Sequence, residues 1–216
     1  MDLGELFDRG GPLMWVILGA SIVATAAFID RLLALRRGLI LPPPLFDSLR
    51  AHLEAGDPAR ARQLCRESPT VLGRVVGAGL DRSPVGRAAA KEAMEEAGSV
   101  AVGRLDRWVG VLSTVAAIAP LLGLLGTVTG MIEVFYQIQG TTNPDIARLS
   151  GGIKEALYTT GAGLTVGIPV FVAYRYVESK IDRYAQELEE RSLALLDRMA
   201  GGPSAPPPAA PAEHVG

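Results

Sequence analysis

Along this chain, long uncharged stretches alternate with polar, helix-prone ones. Charge is absent from Gly10–Ile29, Trp108–Ile132 and Ala156–Tyr174. A helix that crosses a hydrocarbon core ~30 Å thick needs about 20 mostly apolar residues, and each window meets or nearly meets that length. A water-soluble helix would break such runs with a polar face at every turn. The pattern predicts an all-α integral membrane protein with three transmembrane helices, at 12–35, 108–137 and 149–176.

The segments between these spans have their own punctuation. Residues 1–11 form a short acidic lead, in which Leu3, Leu6 and Phe7 suit an amphipathic turn. Pro12 fits a first helical turn, and Trp15 fits a membrane interface. Gly19, Ala20, Ser21, Ala24, Ala26 and Ala27 give the first span small faces for close packing. Leu41-Pro42-Pro43-Pro44 stops that helix. Across 36–107 the sequence predicts short helices at Leu45–Ala55, Ala59–Glu67 and Pro69–Leu80, the second capped by Gly56-Asp57-Pro58. A fourth starts at Ser83-Pro84 and is expected to run unbroken through Arg104, Asp106 and Arg107 into the second span.

Pro120 is expected to kink the second span, and Gly126 with Gly130 forms a GxxxG pair. Residues 138–148 make a turn, with Asn143-Pro144-Asp145 as cap, first-turn proline and first-turn acid. Pro169 predicts a kink in the third span, which continues beyond the membrane as a helix over 177–200. The tail at 201–216, rich in Pro and Ala, is expected to be disordered.

Composition narrows the function. A formal net charge of −2 argues against a general nucleic-acid binder. The single cysteine, Cys65, excludes an internal disulfide and reads as a packing residue. His52 and His214 are far apart, so a metal site is not expected, and no nucleophile–base pair suggests an enzyme. The lead Met1–Arg9 is net acidic, unlike the basic front of a cleavable signal. Arg31, Arg36, Arg37, Arg104, Arg107, Arg175, Lys180 and Arg183 all flank one side of the spans, against Arg9 and Arg148 on the other. The positive-inside rule then puts the N-terminus outside the cytoplasm, with the large loop and the C-terminus inside.

The chemistry concentrates in Gly151–Thr165, where a carboxylate and three threonines open an apolar helix. Glu155 lies ~17 Å along a helix started at Pro144, and an ionisable group at that depth costs at least ~2.5 kcal/mol. Such a residue is a functional candidate by default. Its bland reading is a helix-start carboxylate near the headgroups. On a helix Glu155 and Thr159 share a face, while Thr160 is turned by ~140°. The bland reading of the threonines is hydroxyls bonded to carbonyls of their own helix. Gly126/Gly130 and Gly161/Gly163 read as helix-packing positions. Lys154 beside the carboxylate and Glu133 on the second span are expected to pair across the hairpin, lowering the cost of burying both.

Two stretches, Pro120-Leu-Leu-Gly-Leu-Leu-Gly-Thr-Val-Thr-Gly130 and Gly152-Ile-Lys-Glu-Ala-Leu-Tyr-Thr-Thr-Gly-Ala-Gly-Leu164, resemble the MotA/TolQ/ExbB proton channel family. The likeness extends over about Pro12–Met199 and is strongest to the three-helix ExbB/TolQ branch; flagellar stators of the family usually have four spans. The resemblance implies a homopentamer in the bacterial inner membrane, N-terminus periplasmic and C-terminus cytoplasmic, with long cytoplasmic helical extensions. It implies a single-span ExbD- or TolR-like partner with an intramembrane Asp, and a TonB- or TolA-like transducer. Protons are the coupling ion, no cofactor is implied, and a bound phospholipid is compatible. By residue, Glu155 matches the family's carboxylate, and Thr127 and Thr160 match its pore threonines. Lys154 and Glu133 depart from the family pattern. The reading in competition is a structural membrane scaffold with no ion path.

Overall fold

The computed structural model describes residues 11–139 and 146–200. The acidic lead, the Asn143-Pro144-Asp145 turn and the 201–216 tail lie outside the described residues. Eight helices are described: α1 Gly11–Ala34, α2 Arg37–Ile40, α3 Pro43–Glu54, α4 Pro58–Glu67, α5 Val71–Arg82, α6 Arg87–Asp106, α7 Val109–Gln139 and α8 Ile146–Ala200. There is no strand among the described residues. Three stretches, carrying α1, α7 and α8, are long and apolar enough to cross a membrane. Pro120 and Pro169 both lie inside helices that continue through them. The third span and its polar extension form one helix of 55 residues.

Local chemistry sets the short helices. Pro42 is the extended N-cap of α3. Asp57 caps α4 by accepting from the Arg60 N–H at 2.9 Å. Thr70 caps α5 by accepting from the Gly73 N–H at 3.2 Å, so that helix starts at Val71 and not at Pro69. Ser83 and Pro84 do not open α6. Gly86, at φ +140°, takes a backbone conformation that side-chain-bearing residues rarely adopt, and α6 follows it.

The expected unbroken run from α6 into the second span is not observed. Helix α6 ends at Asp106, residues 107–108 form a turn, and α7 starts at Val109. The last carbonyls of a helix need donors from elsewhere. Arg31 of α1, 7% exposed, supplies one: its Nη1 donates to Leu105 O at 2.9 Å, with Arg104 O at 3.5 Å. Asp30 Oδ2 holds the same guanidinium at 2.6 Å.

The chain divides into two compact units. One comprises residues up to Arg36 and Val102–Arg183. In it, α1 packs along α7. Met14, Ile17, Ala24, Ala27 and Arg31, at helical spacing, are the buried residues of α1. Val109, Leu112, Val115, Ala116 and Ala119 are buried on α7.

The other unit comprises Arg37–Ala101 and the chain from Tyr184 onward. Its fully buried side chains include Leu41, Leu49, Leu72, Val76, Leu80, Leu195 and Leu196. Ion pairs rim this core: Arg37 with Glu187 at 2.6 Å, Arg198 with Glu54 at 2.7 Å, and Arg87 with Asp197. Arg191 lies over the Phe46 ring, 4.9 Å from its centroid.

Cys65 is buried in this unit, as its packing reading expected. Burial first, and the negative charge of Asp81 second, push its thiol from 9.0 up to about 11. Between those values the unfolded chain loses its thiol proton first, so this residue's contribution to stability is lost as pH rises through that window. The thiol of the folded protein should react with maleimide far more slowly than that of the denatured chain at neutral pH. Replacing Cys65 with Ser should flatten the fall in thermal stability across the window.

Candidate functional site

Helices α7 and α8 form an antiparallel hairpin whose contact line is built from small residues. On α7 the line runs through Ala119, Gly123, Gly126, Gly130 and Val134; on α8 it runs through Gly167, Gly163, Thr159, Ala156 and Gly152. Steps of three and four residues keep each row on one helix face. The backbones are so close that side chains have no room. A Cβ on Gly126 would sit 2.3 Å from Thr159 Cγ2, and one on Gly130 would sit 2.9 Å from Ala156 Cβ. One on Gly163 would meet Ala119 O at 2.6 Å and Gly123 Cα at 2.9 Å. Val134 fills the space over Gly152, and the Pro120 ring fills that over Gly167. Gly126 and Gly130 make room for the side chains of Thr159 and Ala156, while the two backbones meet directly at Gly123 and Gly163. Gly161 differs from Gly163: a Cβ there would meet nothing within 4 Å, so Gly161 packs against nothing in this hairpin.

The threonines divide in two. Thr127 Oγ1 donates to Leu124 O at 2.6 Å, and Thr159 Oγ1, 2% exposed, donates to Glu155 O at 3.0 Å. Both bonds return to the residue's own helix, as the bland reading had it. Thr160 does otherwise. Its Oγ1 crosses the seam and donates to Gly123 O at 2.8 Å, joining the two helices directly. That reach is possible because Gly123 has no side chain to hold the backbones apart: a Cβ there would lie 3.0 Å from Thr160 Cα.

Glu155 stands beside this seam but outside it. Ala156 next to it is buried against Gly130, whereas Glu155 itself is exposed. Its carboxylate reaches the first residue of α1: the place a Cβ would take on Gly11, at φ +65°, is 2.5 Å from Glu155 Oε1. None of the hydrogen bonds among the described residues joins this carboxylate to Thr127 or Thr160. Lys154 is exposed, and its ammonium lies over the Tyr158 ring one turn on, 5.6 Å from the centroid. The ion pairs among the described residues do not include Lys154 with Glu133.

Sequence reasoning missed Arg31 and Gly11. The signal for Arg31 was its place immediately after Asp30, at the end of an uncharged run. Gly11 carried no signal, because its importance lies in a contact made across more than a hundred residues of chain.

Around the seam, Leu121, Leu124, Val128, Ile132, Leu157, Ile168 and Phe171 are exposed. An apolar exterior on helices of this length suits lipid or neighbouring membrane helices, not water. Fold and site together are those of a multi-pass helical membrane protein with an ionisable group at the flank of a close-packed hairpin. The chain belongs to the MotA/TolQ/ExbB proton channel family, whose description it matches over residues 67–190.

Among curated relatives, it is 27% identical over 186 residues to an ExbB homolog of Methanothermobacter thermautotrophicus, covering 86% of this chain and 66% of that one. It is 33% identical over 178 residues to the biopolymer transport protein ExbB-like 1 of Synechocystis, covering 80% and 69%. It is 38% identical over 97 residues to the biopolymer transport protein ExbB of Salmonella typhimurium, covering 44% and 40%. The chain thus spans about two thirds of the length of the first two relatives and 40% of the third. These likenesses lie with the ExbB/TolQ branch of the family.

The two glycines of the Gly161-Ala-Gly163 motif should separate cleanly. Gly163→Ala should destabilise the hairpin by about 1–3 kcal/mol through overpacking. Gly161→Ala should be neutral or stabilising, by up to about 1 kcal/mol, because Ala is the better helix former. Thermal unfolding of both variants in detergent checks this ordering, and equal losses would contradict the seam geometry.

Proposed function

We propose that this chain is the channel-forming subunit of a proton-driven motor in the bacterial inner membrane, N-terminus periplasmic and C-terminus cytoplasmic. It couples the proton motive force to a TonB- or TolA-type transducer, for outer-membrane import or envelope maintenance. It works as a homopentamer around a single-span ExbD- or TolR-like partner that contributes an intramembrane Asp. Glu155 is the proton-accepting group, and Thr127 and Thr160 belong to the same pathway, Thr160 by fixing the helix that carries Glu155 through its bond to Gly123 O.

The observation that carries this reading is the position of Glu155: an exposed carboxylate on an apolar helix, at the flank of a seam too tight to admit water. At Gly126, Gly130 and Gly163 the seam has no room even for an added Cβ. The carboxylate's exposed side offers a proton path, once the apolar exteriors of neighbouring copies enclose it. The supporting arguments are family membership over residues 67–190 and the likeness to ExbB proteins. The basic residues concentrated on one side support the orientation. The energy suffices: one charge crossing 100 mV releases ~2.3 kcal/mol, and a few protons per step match the strength of several helix contacts.

The test reconstitutes the chain with its partner in liposomes and measures proton uptake under an imposed potential. Glu155→Gln and Glu155→Ala should assemble with unchanged mass and lose proton flux by at least tenfold, while Glu155→Asp should retain part of it. Full flux in Glu155→Ala would remove the proton-path role and leave the scaffold reading.

A further inference from the structure

The unit containing α4 and α5 holds a cleft that the proton-path reading does not use. Its volume is about 290 Å³. The floor is low because α5 presents Gly73 and Gly77 to the end of α4: a Cβ on Gly77 would lie 3.3 Å from Cys65 Cβ, and one on Gly73 3.1 Å from Ser68 Cβ. Three arginines, Arg62, Arg66 and Arg74, line the walls, against one carboxylate, Asp81.

The arginines are not equivalent. Arg62 is fixed in place, with Nη2 donating to Leu80 O at 2.6 Å and Nε 2.8 Å from Asp81 Oδ1. Asp81 therefore offsets one guanidinium. Arg66 and Arg74 have no ion-pair or hydrogen-bond partner among the described residues, and both are exposed. Like charges brought to one cleft repel each other, and an anion between them relieves that repulsion. Guanidinium forks match phosphate oxygens two at a time.

Ser68 adds a neutral donor at the same wall. The Thr70 hydroxyl oxygen accepts from the Gly73 N–H and lies 2.8 Å from Ser68 Oγ. Either hydroxyl can donate in that pair, and when Thr70 donates, the Ser68 hydrogen is free for a ligand.

We propose that this cleft is a binding site for a phosphate-bearing anion, held by Arg66 and Arg74, with Arg62 preset behind them and Ser68 donating to a further oxygen. The shared chemistry is a phosphate group, carried either by a small soluble anion or by an anionic phospholipid headgroup.

The experiment uses the full chain purified in detergent. Inorganic phosphate is titrated against chloride at constant ionic strength, and the unfolding temperature is read at each step. A parallel arm places the protein in nanodiscs of phosphatidylglycerol or of phosphatidylcholine and counts retained lipids by native mass spectrometry. Wild type should be stabilised by phosphate, or should retain phosphatidylglycerol over phosphatidylcholine; the first result assigns a soluble anion and the second a headgroup. Arg66→Gln should weaken the response about tenfold, the loss of one charged hydrogen-bond partner. Arg66→Gln with Arg74→Gln should abolish it, and Arg74→Lys, which keeps the charge but loses the fork, should fall between.

Arg60→Gln, on α4 but not lining the cleft, should behave as wild type. The assignment is overturned if neither ligand has an effect, or if the double variant responds as wild type does. It is also overturned if the double variant changes the mass of the complex with no phosphate or lipid response, which would make the cleft a contact between copies.

Discussion

The structure depends on two backbones being brought closer than side chains allow. Along the α7–α8 seam the close contacts are made by Gly, Ala and Thr, with Val134 and Pro120 filling the gaps opposite Gly152 and Gly167. Lipid tails are as apolar as leucine, so helices in a membrane gain little from hiding apolar surface against each other; close van der Waals contact and interhelical hydrogen bonds have to hold them. Gly123 supplies both. It lets α8 approach, and its carbonyl then accepts from Thr160 at 2.8 Å. The glycines and the threonine therefore form one device, in which removing the side chain at one position makes the polar bond at another geometrically possible.

The polar end of the membrane unit is tied by a different force. Ending α6 at Asp106 leaves carbonyls that water or a donor must satisfy, and Arg31 reaches them from α1. A buried guanidinium is costly unless its donors are used. Here Asp30 and the Leu105 carbonyl use them. The unit with α3, α4 and α5 is held instead by ordinary apolar burial, with side-chain caps at the starts of α4 and α5. One chain thus combines two packing regimes, each suited to a different solvent.

Most of the fold was legible in the sequence, because a helix that faces water seldom goes uncharged for the length of a membrane span. The carboxylate was legible for the same reason: Glu155 adjoins such a window. The two family motifs identified the helices that carry it. What was not legible involves which way a residue faces. Gly161 and Gly163 look alike in a motif, yet only Gly163 meets α7. Lys154 and Glu133 suggested a pair by charge, but Lys154 found an aromatic face on its own helix, one turn on. The break after Asp106 is not marked by its nearby glycines, because Gly103 and Gly110 both lie inside the helices and not at the turn between them; an arginine distant in sequence caps the end instead. Gly86 was overlooked beside the more conspicuous Ser83-Pro84, although its positive φ is what sets the start of α6.

The rigidity of the hairpin constrains any mechanism that runs through Glu155. Protonating a carboxylate moves a structure only by making or breaking the contacts that carboxylate has. Within the described residues Glu155 makes no hydrogen bond or ion pair across the seam, and Thr160, which does cross it, bonds to a backbone carbonyl that does not titrate. Neutralising Glu155 therefore has little to act on inside the hairpin. Its differential effect has to fall on surfaces around the exposed carboxylate: the start of α1 beside Gly11, and whatever encloses the apolar exterior of α7 and α8. A close-packed seam with a carboxylate on its outside keeps its own contacts whatever that carboxylate meets, so a change there reaches neighbouring surfaces before it reaches the α7–α8 packing.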